Sequence, residues 1–174
     1  MTQSERGAVV VCQPGEGESF WQPVPANGYA EIRVSKRNSG RIRGFSSGIQ
    51  VIAPGCYVRE HQHDAHEELL FFFEGTGKAV INGEEHPVKP GTTVYVGPWN
   101  KHTLVNDGET DLKMLWVLAP GGLEDFFQAI GRPRRPGAPA PEPFPRPENV
   151  EEVERSTVFA RLDDAPADAG AADA

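Results

Sequence analysis

His61 and His63 are separated by a single residue, Glu68 follows a short polar stretch, and His102 stands farther along, ahead of Asn106. In a strand alternate side chains share a face, so the two imidazoles of H-x-H project together. Neutral imidazole suits zinc, copper, iron and nickel, and one added carboxylate oxygen gives the donor set of a mononuclear divalent site. Three nitrogens and one oxygen leave positions open on an octahedral ion. A catalytic metal needs such open positions, whereas structural zinc is closed by four protein ligands, usually with Cys among them. The expected centre therefore holds one divalent transition metal per chain on His61, His63, Glu68 and His102. The competing reading is a set of core or surface histidines satisfied without metal.

Neighbouring polar residues are weighed against this set. Glu68 shares the parity of Leu70 and Phe72, whereas Glu67 falls on the face of Leu69 and Phe71. Glu68 is the expected ligand and Glu67 a solvated neighbour. His66 lies in D-A-H-E-E, which reads as a turn, and it is expected to be exposed or to sit beside the ligands without joining them. His86, on the strand returning from Asn82-Gly83, is read as a surface residue. Cys56 opens the ligand-bearing strand and is read as a small buried hydrophobe.

Parity extends to the walls of a pocket. Tyr57 and Arg59 share the predicted face of His61 and His63. An inward Arg must be paired, which makes Arg59 a candidate clamp for a substrate carboxylate or enolate, or else a salt bridge at the rim. Phe72 follows Glu68 inward, Leu104 follows His102, and Met114 and Trp116 turn inward if Lys113 faces solvent. Trp99 is expected to cap the mouth. An apolar, aromatic pocket around a charged metal suits a small aromatic or enolisable organic molecule. These aromatic residues also fit an ordinary core.

The elements that must position these groups are short and punctuated by turn residues, the pattern of an all-β sandwich or barrel. Strands are predicted at Tyr29–Val34, Arg43–Ala53, Tyr57–His63, Glu68–Glu74, Lys78–Ile81, Thr93–Val96, His102–Val105 and Leu112–Leu118. Asn82-Gly83 and Asp107-Gly108 read as tight hairpin turns. Leu123, Phe126, Phe127 and Ile130 recur at helical spacing ahead of Gly131, and a second short helix is expected at Glu148–Arg155. The expected organisation is an N-terminal arm over 1–28, a β-barrel with its flanking helix over 29–131, a Pro-rich linker with a short helix over 132–164, and a disordered Ala/Asp/Gly tail over 165–174. Tyr29–Val34 is expected at a sheet edge, where a homodimer could form.

A chain of 174 residues fits one core of ordinary size plus flexible ends. The formal charge of −8 argues against nucleic acid as partner. Apolar runs such as Leu69–Phe73, five residues, and Met114–Ala119, six, fall far short of a membrane span. No basic segment followed by an apolar run opens the chain, and the two cysteines read as free thiols, so a cytoplasmic location is expected.

The segment from Gly55 to Gly75 resembles the first motif of the cupins, G(X)5HXH(X)4E(X)6G, at every defined position. Gly91 to Asn106 is similar to the second motif, G(X)5PXG(X)2H(X)3N, at the first Gly, His102 and Asn106. It departs at Gly97 and at Trp99, which stands where the motif has Gly. The resemblance covers about residues 49–118. It implies a double-stranded β-helix, the cupin jelly roll, carrying here one or two short C-terminal helices. G-G-L-E-D-F-F-Q-A-I-G further resembles single-domain cupins similar to quercetin dioxygenases. That implies a metal-dependent dioxygenase acting with O2 on a small organic substrate, with Fe(II) ahead of Mn, Ni, Zn or Cu and with Glu68 able to act as a base. A redox-neutral lyase, isomerase or cyclase and a non-catalytic small-molecule binder are the alternatives, because one scaffold hosts many chemistries.

Overall fold

Apolar residues alternate along the strands, and this alternation decides which face becomes the interior. In β5 (Glu67–Glu74) and β10 (Leu112–Ala119) the buried positions recur every second residue. Leu70, Phe72, Leu112, Met114, Trp116 and Leu118 are fully enclosed as a result. The two strands pair antiparallel within a seven-stranded sheet. The computed structural model describes residues 7–40 and 44–164.

The remaining strands of that sheet are β1 (Ser19–Trp21), β2 (Tyr29–Val34), β3 (Ser46–Ile52), β8 (Thr93–Val96) and β11 (Arg132–Pro133). Their order is β11-β1-β2-β3-β10-β5-β8. A second, four-stranded sheet contains β4 (Tyr57–His61), β6 (Gly77–Ile81), β7 (Glu84–Val88) and β9 (His102–Val105), in the order β4-β9-β6-β7. Two antiparallel sheets with the core between them make the β jelly roll that the sequence implied. Asn82 and Gly83 take φ of 50° and 86°, the mirror-image turn that joins β6 to β7. β7 is an exposed edge strand, where Pro87 costs no interior ladder bond.

Helix α1 (Lys36–Ser39) is capped by Ser35 and Asn38. Helix α2 (Leu123–Ile130) buries Leu123, Phe126, Phe127 and Ile130 against the barrel, with Phe127 5.8 Å from Trp116. Helix α3 (Val150–Arg155) follows the proline-rich segment.

Two expectations are corrected. β2 is not an edge strand, because β1 covers one side of it and β3 the other. Phe20 and Trp21 stand in a short run among turn residues, too short to show the alternation of a strand. Asp107-Gly108 is not a hairpin, since β9 and β10 lie in different sheets and neither residue has positive φ. Buried Asn106 instead ties this crossover, donating to the carbonyls of Ile52 (2.8 Å) and Thr110 (2.9 Å) and accepting from the Gly108 amide. Gly75, at φ 81°, packs so closely that an added Cβ would lie 2.3 Å from the Asp111 carbonyl oxygen. The tail over 165–174 and Arg43 lie outside the described residues.

Candidate metal centre

The four expected ligands come from both sheets. His61 ends β4 and pairs in register with His102, the first residue of β9. His63 lies just past β4, beyond Gln62, whose backbone bridges to Ala160. Glu68 sits on the inward face of β5, while Glu67 is exposed on the other face. The donor atoms of His61, His63, Glu68 and His102 all lie within 4.8 Å of one another. His102 is 0% exposed, His63 2% and Glu68 5%, so water competes little for these groups. Neither His66 nor Cys56 belongs to the cluster. The His66 ring is 6.0 Å from that of His63, and the Cys56 thiol accepts from the Asn27 side chain at 3.3 Å.

The orientation of the rings bears on what the cluster could hold. Nδ1 of His61, His63 and His102 lies 2.9, 2.7 and 2.9 Å from the carbonyl oxygens of Arg59, Val158 and Asn100. A carbonyl only accepts, so each Nδ1 carries the proton and donates it. Every Nε2 is thereby turned toward the common centre, the arrangement by which outlying carbonyls set the tautomer of a metal-ligating histidine. Nε2 of His63 is buried without a hydrogen-bond partner, a costly state in an apolar interior that a cation relieves. Glu68 Oε2 lies 3.0 Å from His102 Nε2 and 3.9 Å from His63 Nε2. Three nitrogens and a carboxylate, without thiolate, fit an open divalent site.

Electrostatics separates the three imidazoles. Burial, helped by the neighbouring His102 and His63, pushes His61 well below its ordinary value. Burial also lowers His63, against the pull of Glu68. For His102 the burial penalty is outweighed by the hydrogen bond and charge of Glu68, and its value rises. Glu68 moves the opposite way: burial would raise it, but His102 holds it down. Glu68 thus favours the charged form of His102, while burial favours the neutral, lone-pair-bearing forms of His61 and His63.

A cavity opens beside His61 and Glu68. Tyr57, Arg59 and Leu104, expected in its wall, line it. A register shift between Val58 and His61 breaks strict alternation, and Arg59 ends in an ion pair with Glu154 with its side chain 44% exposed. Phe72, Met114 and Trp116 are fully buried core residues, and neither they nor Trp99 are among the residues lining the cavity. Trp99 takes φ 65° and donates its amide to the His63 carbonyl at 2.7 Å.

Several lining residues escaped sequence reasoning. Phe126 and Phe127 stand out in the sequence only as apolar positions at helical spacing. Gln22 and Gln50, joined at 2.6 Å, reach the cavity from β3 and the loop after β1. Arg146, Glu154 and Phe159 arrive from the C-terminal segment. The Phe159 ring lies 5.3 Å from His61, 5.2 Å from His63 and 4.5 Å from Phe126. No local periodicity marks Phe159, and only the return of the chain over the barrel brings it to the site.

Comparison with known proteins agrees with this geometry. The family model described as Cupin domain matches residues 48–118. Quercetin 2,3-dioxygenase from Bacillus subtilis is 32% identical over 134 residues, 76% of this chain and 38% of that protein. 5-Nitrosalicylic acid 1,2-dioxygenase from a Bradyrhizobium species is 34% identical over 91 residues, covering 52% of this chain and 43% of its own length. The chain spans about half the length of the curated relatives it matches. Among solved structures, a predicted oxalate decarboxylase from Thermotoga maritima superposes with a TM-score of 0.51 over 65% of this chain and 99% of its own, at 26% identity.

Proposed function

The chain belongs to the cupin superfamily, and from that premise we propose that it is a mononuclear metal-dependent dioxygenase acting on a small aromatic or enolisable substrate. The observation that carries this reading is the convergence of His61, His63, Glu68 and His102 beside an aromatic-walled cavity. Bound there, an Fe(II) ion would supply charge stabilisation for an enolate or phenolate and an electron path to O2. The protein's own groups do the rest. Glu68 lines the cavity and takes the acidic proton of the substrate. Phe126, Phe127 and Phe159 stack on its apolar body and keep water out. Similarity to two dioxygenases supports the reaction class.

Oxygen uptake tests it. The protein is reconstituted separately with Fe(II), Mn(II), Ni(II), Cu(II) and Zn(II) and offered flavonols, catechols, hydroxybenzoates and 1,3-diketones. Substrate-dependent uptake with a redox-active metal and none with zinc is the expected result. Turnover by the zinc form without uptake would overturn it in favour of a redox-neutral lyase or decarboxylase, a reading that the likeness to the Thermotoga maritima protein supports.

The same reading includes a homodimer and a cytoplasmic location. Leu69, Phe71, Phe73 and Tyr95 are exposed on the outer face of the large sheet, a surface suited to a second copy. Light scattering that gives a mass near 19.0 kDa at micromolar concentration would exclude the dimer. Cys12 and Cys56 are free, which suits a reducing compartment. Among the described residues no helix is long and apolar enough to cross a membrane.

A further inference from the structure

Two guanidinium groups meet one carboxylate at the solvent side of the cavity. Arg59 Nη2 and Arg146 Nη2, the latter at 2.5 Å, both donate to the same oxygen, Oε1 of Glu154. All three residues line the cavity that His61 and Glu68 also line. The side chains of Arg146 and Glu154 are 17% and 23% exposed, and that of Arg59 is 44% exposed. They come from three separate places: β4, the proline-rich segment, and α3.

A single carboxylate facing two arginines leaves one positive charge in excess. This excess stands at the entrance of a pocket in a chain whose formal charge is −8. A guanidinium is a fixed fork matched to a carboxylate, and each fork here spends one Nη2 on a shared oxygen. A bond made only to anchor α3 requires one arginine. The second arginine, aimed at the same atom from another segment, makes a two-pronged anion cradle.

From this convergence we infer that Arg59 and Arg146 form a carboxylate-binding subsite for the substrate, and that Glu154 fills it in the free protein as an internal stand-in. The inference deepens the proposed function and rests on this cavity being the substrate pocket. It assigns the substrate to the aromatic or enolisable acids. The carboxylate lies between the two arginines, and the ring lies against Phe126 and Phe159, inward of them. Arg59 and Arg146 are binding residues in this scheme. Glu154 is a positioning residue that competes with the ligand and releases the arginines when the ligand arrives.

Binding to the zinc-loaded full-length protein tests the inference without turnover. The probes are benzoate and its neutral counterpart benzyl alcohol, followed by titration calorimetry. The parent should bind benzoate in preference to benzyl alcohol, and the preference should shrink as salt rises. Arg59→Gln and Arg146→Gln should each weaken benzoate by about tenfold, the loss expected from one charge-assisted hydrogen bond, and leave benzyl alcohol unchanged. Glu154→Gln should tighten benzoate several-fold, because the internal competitor is gone. If Glu154→Gln instead lowers the melting temperature and leaves benzoate no tighter, Glu154 is an anchor and its stand-in role is overturned. Equal benzoate binding by the parent and both arginine variants overturns the subsite itself. The dioxygenase reading fails independently: absent oxygen uptake with a persisting, arginine-dependent benzoate preference rejects the reaction and keeps the subsite.

Discussion

His63 Nδ1 and the carbonyl oxygen of Val158 lie 2.7 Å apart across a sequence separation of 95 residues. This contact ties the candidate metal centre to the C-terminal segment. Gln62, fully buried, strengthens the tie: its carbonyl accepts from the Ala160 amide at 3.0 Å, and its side chain donates to the Arg161 carbonyl.

The segment that orients His63 should therefore govern metal affinity. A chain ending at Ser156, which lacks Val158 and Phe159, is expected to lose about 10–100-fold in metal affinity, the usual cost of removing a partner that orients a ligand. A chain ending at Asp164 should match the parent in both melting temperature and metal content, since composition offers nothing to dock the last residues. Gln62→Ala serves as the milder variant. Equal metal affinity in the chain ending at Ser156 would show that His63 needs no such support.

Each candidate ligand should matter in its own right. His61→Ala and His102→Ala are expected to weaken metal binding by at least roughly tenfold, because each removes a donor atom from the cluster. Elemental analysis after dialysis against a weak chelator reads this directly. Full metal content in both variants would dismiss the assignment.

Trp99 occupies the left-handed region at φ 65°, where the second motif has Gly. A residue with a Cβ pays about 1–2 kcal/mol in that region. Trp99→Gly and Trp99→Ala remove the same indole packing but differ in this backbone cost. Glycine is thus expected to be the more stable of the two by about 1 kcal/mol in denaturant unfolding. Equal stability would mean that the loop relaxes out of the left-handed conformation.

Asp125 on α2 receives Lys36 at 2.5 Å and Arg37 at 2.8 Å, fastening α1 to α2. Burial would raise its pKa, but these two hydrogen bonds hold it below the ordinary 3.8. A depressed folded value means that the stabilisation is present above 3.8 and fades as pH falls through the folded value. The carboxylate is 38% exposed, so Asp125→Asn should cost less than about 1 kcal/mol at neutral pH. Unfolding curves should show the gap between parent and variant closing in acid and in high salt. A gap that persists unchanged at low pH would assign it to something other than charge.

Much of the fold and the clustering of the candidate ligands was legible in the sequence, because both follow from local rules. The period-two alternation of β5 and β10 sorts Leu70, Met114 and Trp116 inward whatever their neighbours. The turn at Asn82-Gly83 rests on torsions those residues tolerate by themselves. His61, His63, Glu68 and His102 announce themselves by chemical type and by strand parity. Tertiary structure alone decided what surrounds them. A one-residue irregularity between Val58 and His61 swings Arg59 to the rim, beyond the reach of any parity count. Strand β1 covers β2 because β2 offers it a ladder of backbone groups, and backbone donors and acceptors leave no trace in side-chain patterns. Phe159, Val158 and Arg146 reach the site from a segment that obeys no period, held there by contacts with residues far away in the chain. Local periodicity sets the faces of strands, but the closure of a site depends on which distant segments find one another.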